Sequence, residues 1–366
     1  MLFVKTDELK TGMRLAKPIY NKKGVLLYDR NSKLTVQGIE SVKNFGLIGI
    51  FILEPAEPLP PMTADDIEFE KFQTVSVFTI REELQNILSK GKQLKMYPFA
   101  EAIVKAYGHL DRKINFVQNL RSNEDFVYKH SLNTALLCAM MAHQLNMRNE
   151  EHLETVIAAL VHDIGKLRIP EEMLRKQELS SAEKTEMKRY EYGGIQVIEQ
   201  AFLSSPNIKR TMLQAYTQLD AFYAGRDLGK GKLVLGSKIL IAAETYDTMT
   251  AMNSLGKPQS EVATLKYLQA HPEIFEPEVV EALIDSINFL SEGCCVELSN
   301  GEKGLVLLAN DKDILRPMIL CFSNNAVIDL RQTMIYGELE IEDIMKTLDN
   351  RYLMDSDTVK KFKAQK

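Results

Sequence analysis

The chain has 366 residues, 45% hydrophobic and 26% charged, with a net charge of −5; one hydrophobic core rarely organises that length, so two or three domains are expected. The acidic balance argues against a nucleic-acid-binding surface, and no apolar run reaches the roughly 18–20 residues that a membrane span needs. No signal-peptide pattern opens the sequence, and the four cysteines, Cys138, Cys294, Cys295 and Cys321, lack metal-ligand spacing. The expected setting is therefore the reducing cytoplasm, with the thiols as apolar fillers.

Residues 1–54 read as a small β-rich unit. Strands over 15–19 and 25–28 flank an Asn21-Lys22-Lys23-Gly24 turn, and a short helix over 36–43 and a strand over 47–53 complete it. Pro55, Pro58, Pro60 and Pro61 mark 55–63 as a stiff linker. Residues 64–120 carry connecting helices near 64–90 and 98–120; the spacing of Ile80, Leu84, Ile87 and Leu88 suits packing within the chain or against a second copy.

Residues 121–290 read as a helical domain. A helix over 132–145 is apolar nearly all round, as the middle helix of a bundle should be, with His130 at its mouth. Leu153, Val156, Ile157, Leu160, Val161 and Ile164 then recur at helical spacing, delivering His162 and Asp163 together near a helix end that Gly165 and Pro170 stop. An imidazole beside a carboxylate on a rigid helix end is a natural ligand pair for a hard or borderline divalent metal. A closing helix is expected over 276–290. Residues 291–345 form a small β-module, with strands over 295–298 and 305–308 flanking Asn300-Gly301 and further strands near 318–322 and 326–330. The Lys-rich tail, 346–366, is expected to fray.

Two phrases, Asp125-Phe126-Val127-Tyr128-Lys129-His130-Ser131 and His162-Asp163-Ile164-Gly165-Lys166-Leu167-Arg168-Ile169-Pro170, resemble the signature of the HD superfamily of metal-dependent phosphohydrolases, specifically its HD-GYP branch. The resemblance covers about 125–255. It implies an all-helical domain and, where intact, a two- or three-metal site that hydrolyses the bacterial messenger cyclic di-GMP. By the same resemblance His130, His162 and Asp163 are metal ligands, Asp163 and Lys166 are catalytic, and Lys166 and Arg226 bind substrate, Lys166 by helping to hold a phosphate. The second half of the signature departs from the pattern. Tyr190 stands where the branch has a histidine, Ala215 and Tyr216 replace a histidine pair, Tyr223-Ala224-Gly225 replaces Gly-Tyr-Pro, and Glu244 replaces a ligating aspartate.

Of the six histidines, at 109, 130, 143, 152, 162 and 271, only His130 and His162 fall on the branch's ligand positions. His130, His162, Asp163 and Glu244 could hold one Mn, Fe or Zn ion, and a second metal is not expected. His109, His152 and His271 are expected in polar surroundings and His143 on another face of its helix, all four without function. The expected fold is mainly α, a helical HD-domain bundle flanked by the two β-units. The expected function is that of a degenerate HD-GYP-like protein of bacterial signalling, without cyclic di-GMP phosphodiesterase activity, binding a signalling protein or nucleotide as a regulatory module. The alternative is a mononuclear HD-type phosphohydrolase acting on a nucleotide or other phosphoester. Pairing into a homodimer through helices is the expected assembly.

Overall fold

The computed structural model describes residues 2–20, 25–45, 47, 49–53, 63–116, 118, 121–122, 124–174, 176, 179–229, 231–251, 258–290, 292–310 and 312–344. The Asn21-Lys22-Lys23-Gly24 turn, the linker prolines and the 346–366 tail lie outside them. The chain divides into two units, one of 1–61, 258–267 and 288–366, the other of 62–257 and 268–287.

The N-terminal segment contains β1 (Leu2–Lys5), β2 (Arg14–Leu15), β3 (Ile19–Tyr20), β4 (Leu26–Tyr28), α1 (Val36–Asn44) and β5 (Gly49–Leu53). β5 pairs antiparallel with both β1 and β2, while β3 and β4 form a separate ribbon. The single strand expected over 15–19 is thus divided: Leu15 pairs with Ile52, Ile19 with Tyr28. Pro18 lies between them and has no N–H to continue a ladder.

The helical unit opens with α2 (Ala64–Lys90), started by a reciprocal Thr63–Asp66 capping box and ended by Gly91 at φ 67°. α3 (Met96–Tyr107) follows, and the helix expected over 98–120 stops there. It is capped by Gly108, whose N–H donates to the Val104 carbonyl, and only glycine fits there: a Cβ would lie 2.8 Å from that oxygen and 2.9 Å from the His152 ring. The chain then runs irregularly, with Ile114 bridging Ile287 in parallel.

α4 (Phe126–Gln144) begins earlier than expected, so His130 lies on its first turns rather than before it. It is buried almost without interruption from Tyr128 to Ala142. α5 (Asn149–Val161) packs along it and passes through a 3₁₀ turn, Ile164–Arg168, to α6 (Glu171–Leu174). α7 (Ser181–Ala201) starts on a Ser180–Glu183 capping box, and α8 (Pro206–Tyr223) has proline in its first turn. α9 (Leu235–Thr250) follows; α10 (Glu261–Ala270) belongs for most of its length to the other unit, and α11 (Pro277–Ser286), shorter than the 276–290 expected, returns to this one. α9 and α11 pack on α4, as does α2, and α3 packs on α4 and α5. The two helices expected to connect domains are therefore part of the helical unit itself.

The C-terminal segment contributes β6 (Cys295–Leu298), β7 (Lys303–Leu308), β8 (Met318–Cys321), β9 (Val327–Asp329), α12 (Thr333–Tyr336) and β10 (Ile341–Ile344). They form one antiparallel sheet in the order β10-β6-β7-β8-β9. Gly301, at φ 79°, makes the β6–β7 turn that Asn300-Gly301 predicts. Val262, Leu290, Val296, Leu298, Val306, Ile319, Leu330 and Ile341 make its core. No helix among the described residues is long and apolar enough to cross a membrane.

Candidate metal centre

The packing of α4 on α5 brings His130 beside His162 and Asp163 at the C-terminal end of α5, all three buried. Their ligating atoms lie within 4.8 Å of one another. His162 Nδ1 faces the Ala159 carbonyl oxygen at 2.7 Å, and His130 Nδ1 faces the Asp247 carboxylate at 2.6 Å. Both partners are acceptors, so each Nδ1 carries the proton and donates. The two Nε2 atoms are left facing each other at 3.2 Å, with Asp163 oxygens 3.6 and 3.7 Å away. Two neutral imidazoles so placed point lone pairs at one another, an arrangement that calls for a shared cation or proton. Nitrogen ligands about 2.0–2.1 Å from a tetrahedral ion are themselves about 3.3 Å apart, so the spacing suits one borderline divalent ion.

Asp247, on α9, holds this pair in place. Its carboxylate is fully buried and accepts two 2.7 Å bonds from Arg121 Nη2, with Gln118 and Asn133 donating at 3.1 and 3.0 Å. Gln73 on α2 in turn donates to Asn133 at 2.9 Å. Burial acts to raise the Asp247 carboxyl, but the Arg121 guanidinium and the His130 hydrogen bond outweigh it and hold it below the usual carboxylate range. An ionised Asp247 fixes the His130 tautomer, the role an outer carboxylate plays behind a metal-ligating imidazole.

Residues 116–279, which include every one of these groups except Gln73, match the HD domain family. This segment is an HD domain. The chain is similar to the cyclic di-GMP phosphodiesterase PA4108 of Pseudomonas aeruginosa, at 22% identity over 56% of this chain and 49% of that protein. It is also similar to the cyclic di-GMP phosphodiesterase PdeB of Borreliella burgdorferi, at 25% identity over 55% of this chain and 53% of that protein. The chain thus spans about half the length of the curated relatives it matches. Among solved structures, the HDG"Y"P protein Bd1817 of Bdellovibrio bacteriovorus aligns over 78% of this chain and 98% of its own, at 13% identity and a TM-score of 0.46.

Within the HD domain, Asp163 has partners on both oxygens. Lys166 Nζ donates to Oδ2 at 2.8 Å, and the Tyr216 hydroxyl donates to Oδ1 at 3.2 Å. Burial acts to raise Asp163, but Lys166, His162 and His130 outweigh it and keep it ionised well below the usual range. Burial acts to lower Lys166, yet Asp163, Glu244 and Glu191 push it up, so it stays an ammonium. His162 is lowered chiefly by burial, which favours the neutral ring a metal needs. Burial, with Asp163 alongside, raises the Tyr216 phenol well above its ordinary value, leaving a donor rather than a ligand.

The remaining sequence-predicted residues fall at different distances from the centre. Glu244 is half-buried on α9, one turn before Asp247; its charge is felt by His162 and Lys166, but it lies outside the close group of ligating atoms. Burial raises its carboxyl, as it does that of Glu191. Ala215 is buried and presents only a methyl group. Tyr190 meets the centre through its backbone, which packs on Gly165. Arg226 is exposed and donates to Asp220, which also accepts from Lys188. Arg121, Gln118, Asn133 and Asp247 were not anticipated as site residues. Asp247 had a signal, a carboxylate one helical turn from Glu244 in an otherwise apolar helix. Arg121 and Gln118 sit on irregular chain, where no periodicity marks a buried polar group.

Proposed function

We propose that this HD domain holds a single divalent cation, that the chain does not hydrolyse cyclic di-GMP, and that it acts in bacterial signalling as a regulatory module binding a partner protein or nucleotide. The observation that carries this reading is that, beyond His130 and His162, the partners of Asp163 are the Lys166 ammonium and the Tyr216 hydroxyl, neither of which offers a ligand for a second ion. Each Asp163 oxygen keeps a lone pair beside its one hydrogen bond, so the carboxylate can still serve a first ion. The positions from which the HD-GYP resemblance would draw further ligands hold Tyr190, Ala215 and Tyr216. The similarity to proteins named as cyclic di-GMP phosphodiesterases supports a cyclic dinucleotide as the first ligand to try.

The test is incubation of the purified full chain with cyclic di-GMP and Mn²⁺, Fe²⁺ or Zn²⁺, followed by product analysis. No turnover above the protein-free rate is expected. Metal-dependent turnover that His162→Ala abolishes would overturn the reading.

A mononuclear phosphohydrolase is the second reading, favoured by the facing Nε2 atoms of His130 and His162. A bound cation would supply water activation and polarise a phosphoryl oxygen. His130, His162 and Asp163 would hold it, and Lys166 would sit beside a bound phosphate as a point charge. Release of phosphate from a phosphomonoester or nucleotide panel, lost in His162→Ala, would select this reading over the first.

A further inference from the structure

Three histidines outside the HD centre are brought together at the opposite end of α4. His109 lies on the turn after α3, His143 in the last turn of α4 and His152 in the first turn of α5. The ring centres of His109 and His143 are 5.9 Å apart, and those of His109 and His152 are 6.3 Å apart. Asp111 joins them, its carboxylate 2.9 Å from His143 Nε2. Gln144 bonds the Leu110 carbonyl at 3.3 Å and so ties this turn to α4.

His152 is the unusual member. It is 3% exposed, and its Nε2 is a buried polar atom with no hydrogen-bond partner among the described residues. The ring lies against Gly108, where a Cβ would come within 3.0 Å of that nitrogen, so the glycine leaves room for the imidazole next to His109. An orphaned buried acceptor costs about 1–3 kcal/mol, and a ligand that binds there offsets that cost.

We propose that His109, His143 and His152, with Asp111, form a second metal site, distinct from the HD centre, that takes one borderline first-row divalent ion such as Zn²⁺. Imidazoles bound to a tetrahedral ion through bonds of about 2.0–2.1 Å have ring centres about 5 Å apart. The two separations exceed this by about 1 Å, and the ligating atoms of the four residues do not all lie within 4.8 Å of one another as placed, so His109 and His143, which both reach the surface, must turn towards the buried His152 to close on an ion. Three imidazoles and one carboxylate match Zn²⁺, Co²⁺ or Ni²⁺ better than Mg²⁺ or Ca²⁺.

The test is Zn²⁺ stoichiometry and affinity on the full chain, by equilibrium dialysis with metal analysis and by calorimetry. Wild type is compared with His109→Ala, His143→Ala and, as control, His271→Ala, with circular dichroism to confirm folding. His109 and His143 both reach the surface, so their loss spares the core. One ion per chain should be lost, or bound at least tenfold more weakly, in His109→Ala and in His143→Ala, and be unchanged in His271→Ala. The same one-ion difference should persist in a His162→Ala background. Equal Zn²⁺ binding by wild type and both variants, or a difference that vanishes in the His162→Ala background, would overturn the proposal.

Discussion

The carboxylate of Asp247 receives Arg121, Gln118, Asn133 and His130 inside the protein. Asp247→Asn keeps the shape but leaves the Arg121 charge buried and uncompensated, so a loss of about 3–5 kcal/mol in urea unfolding is expected. The His130 tautomer is freed at the same time, and calorimetry should show metal binding at the HD centre weakened about 10–100-fold. A second residue-scale expectation concerns acid. His152 has an ordinary value of 6.5 and is held by burial at about 4 in the fold, so the unfolded chain binds the additional proton between those two values. Stability should therefore fall as pH drops from 6.5 towards 4, by up to about 3 kcal/mol from this group. His162, lowered by the same burial, acts in the same direction, whereas Asp163 and Asp247, held below their ordinary value of 3.8, lose stability only as pH falls below that value. Urea unfolding of the metal-free chain at several pH values measures the slope, and His152→Gln should flatten it.

Among the elements, the seating of α7 on the 3₁₀ turn that follows His162 and Asp163 depends on two glycines. A Cβ on Gly165 would meet the Tyr190 carbonyl oxygen at 2.4 Å and Glu191 Cα at 2.8 Å; one on Gly194 would meet Gly165 N at 2.7 Å. These contacts are backbone, which cannot rotate away, so Gly165→Ala should cost about 1–3 kcal/mol and displace Lys166 from Asp163. Gly193, next to Gly194 on the same helix, faces open space. Gly193→Ala should leave metal binding unchanged and stabilise the chain by about 0.5–1 kcal/mol. Thermal melts of the two variants make a matched comparison. The sequence reading took Gly165 for a helix stop; its closer purpose, admitting α7, depends on a residue pair distant in the chain. The helices themselves were legible wherever apolar residues recur over several turns, as in α4 and α5. β10 was not, because Glu342 and Asp343 give its short span the look of a loop.

For the molecule as a whole, a cation that binds the fold and not the unfolded chain adds stability by mass action. Metal at about 100 times its dissociation constant should stabilise the chain by about 2.7 kcal/mol, read as a rise in the urea midpoint. His162→Ala should remove the part of that rise due to the HD centre, whereas His109→Ala and His143→Ala should remove a separate part specific to Zn²⁺. The division of the chain is also a property of the whole. The helices over 64–107 read as connectors because their local pattern does not say what they face, yet α2 reaches the centre through Gln73 and the Asn133 side chain.

By itself the sequence determined the helical character of the domain, the placing of His162 and Asp163 together at the end of α5, and the absence of histidine at 190, 215 and 216. These are matters of residue type at short spacing, where helical periodicity and ligand chemistry suffice. Tertiary structure alone decided that Asp247 and Arg121 stand behind His130, that Tyr216 donates to Asp163, and that His109, His143 and His152 meet. Each of those contacts joins separate segments, and side-chain chemistry constrains a partner's type without saying which distant residue supplies it.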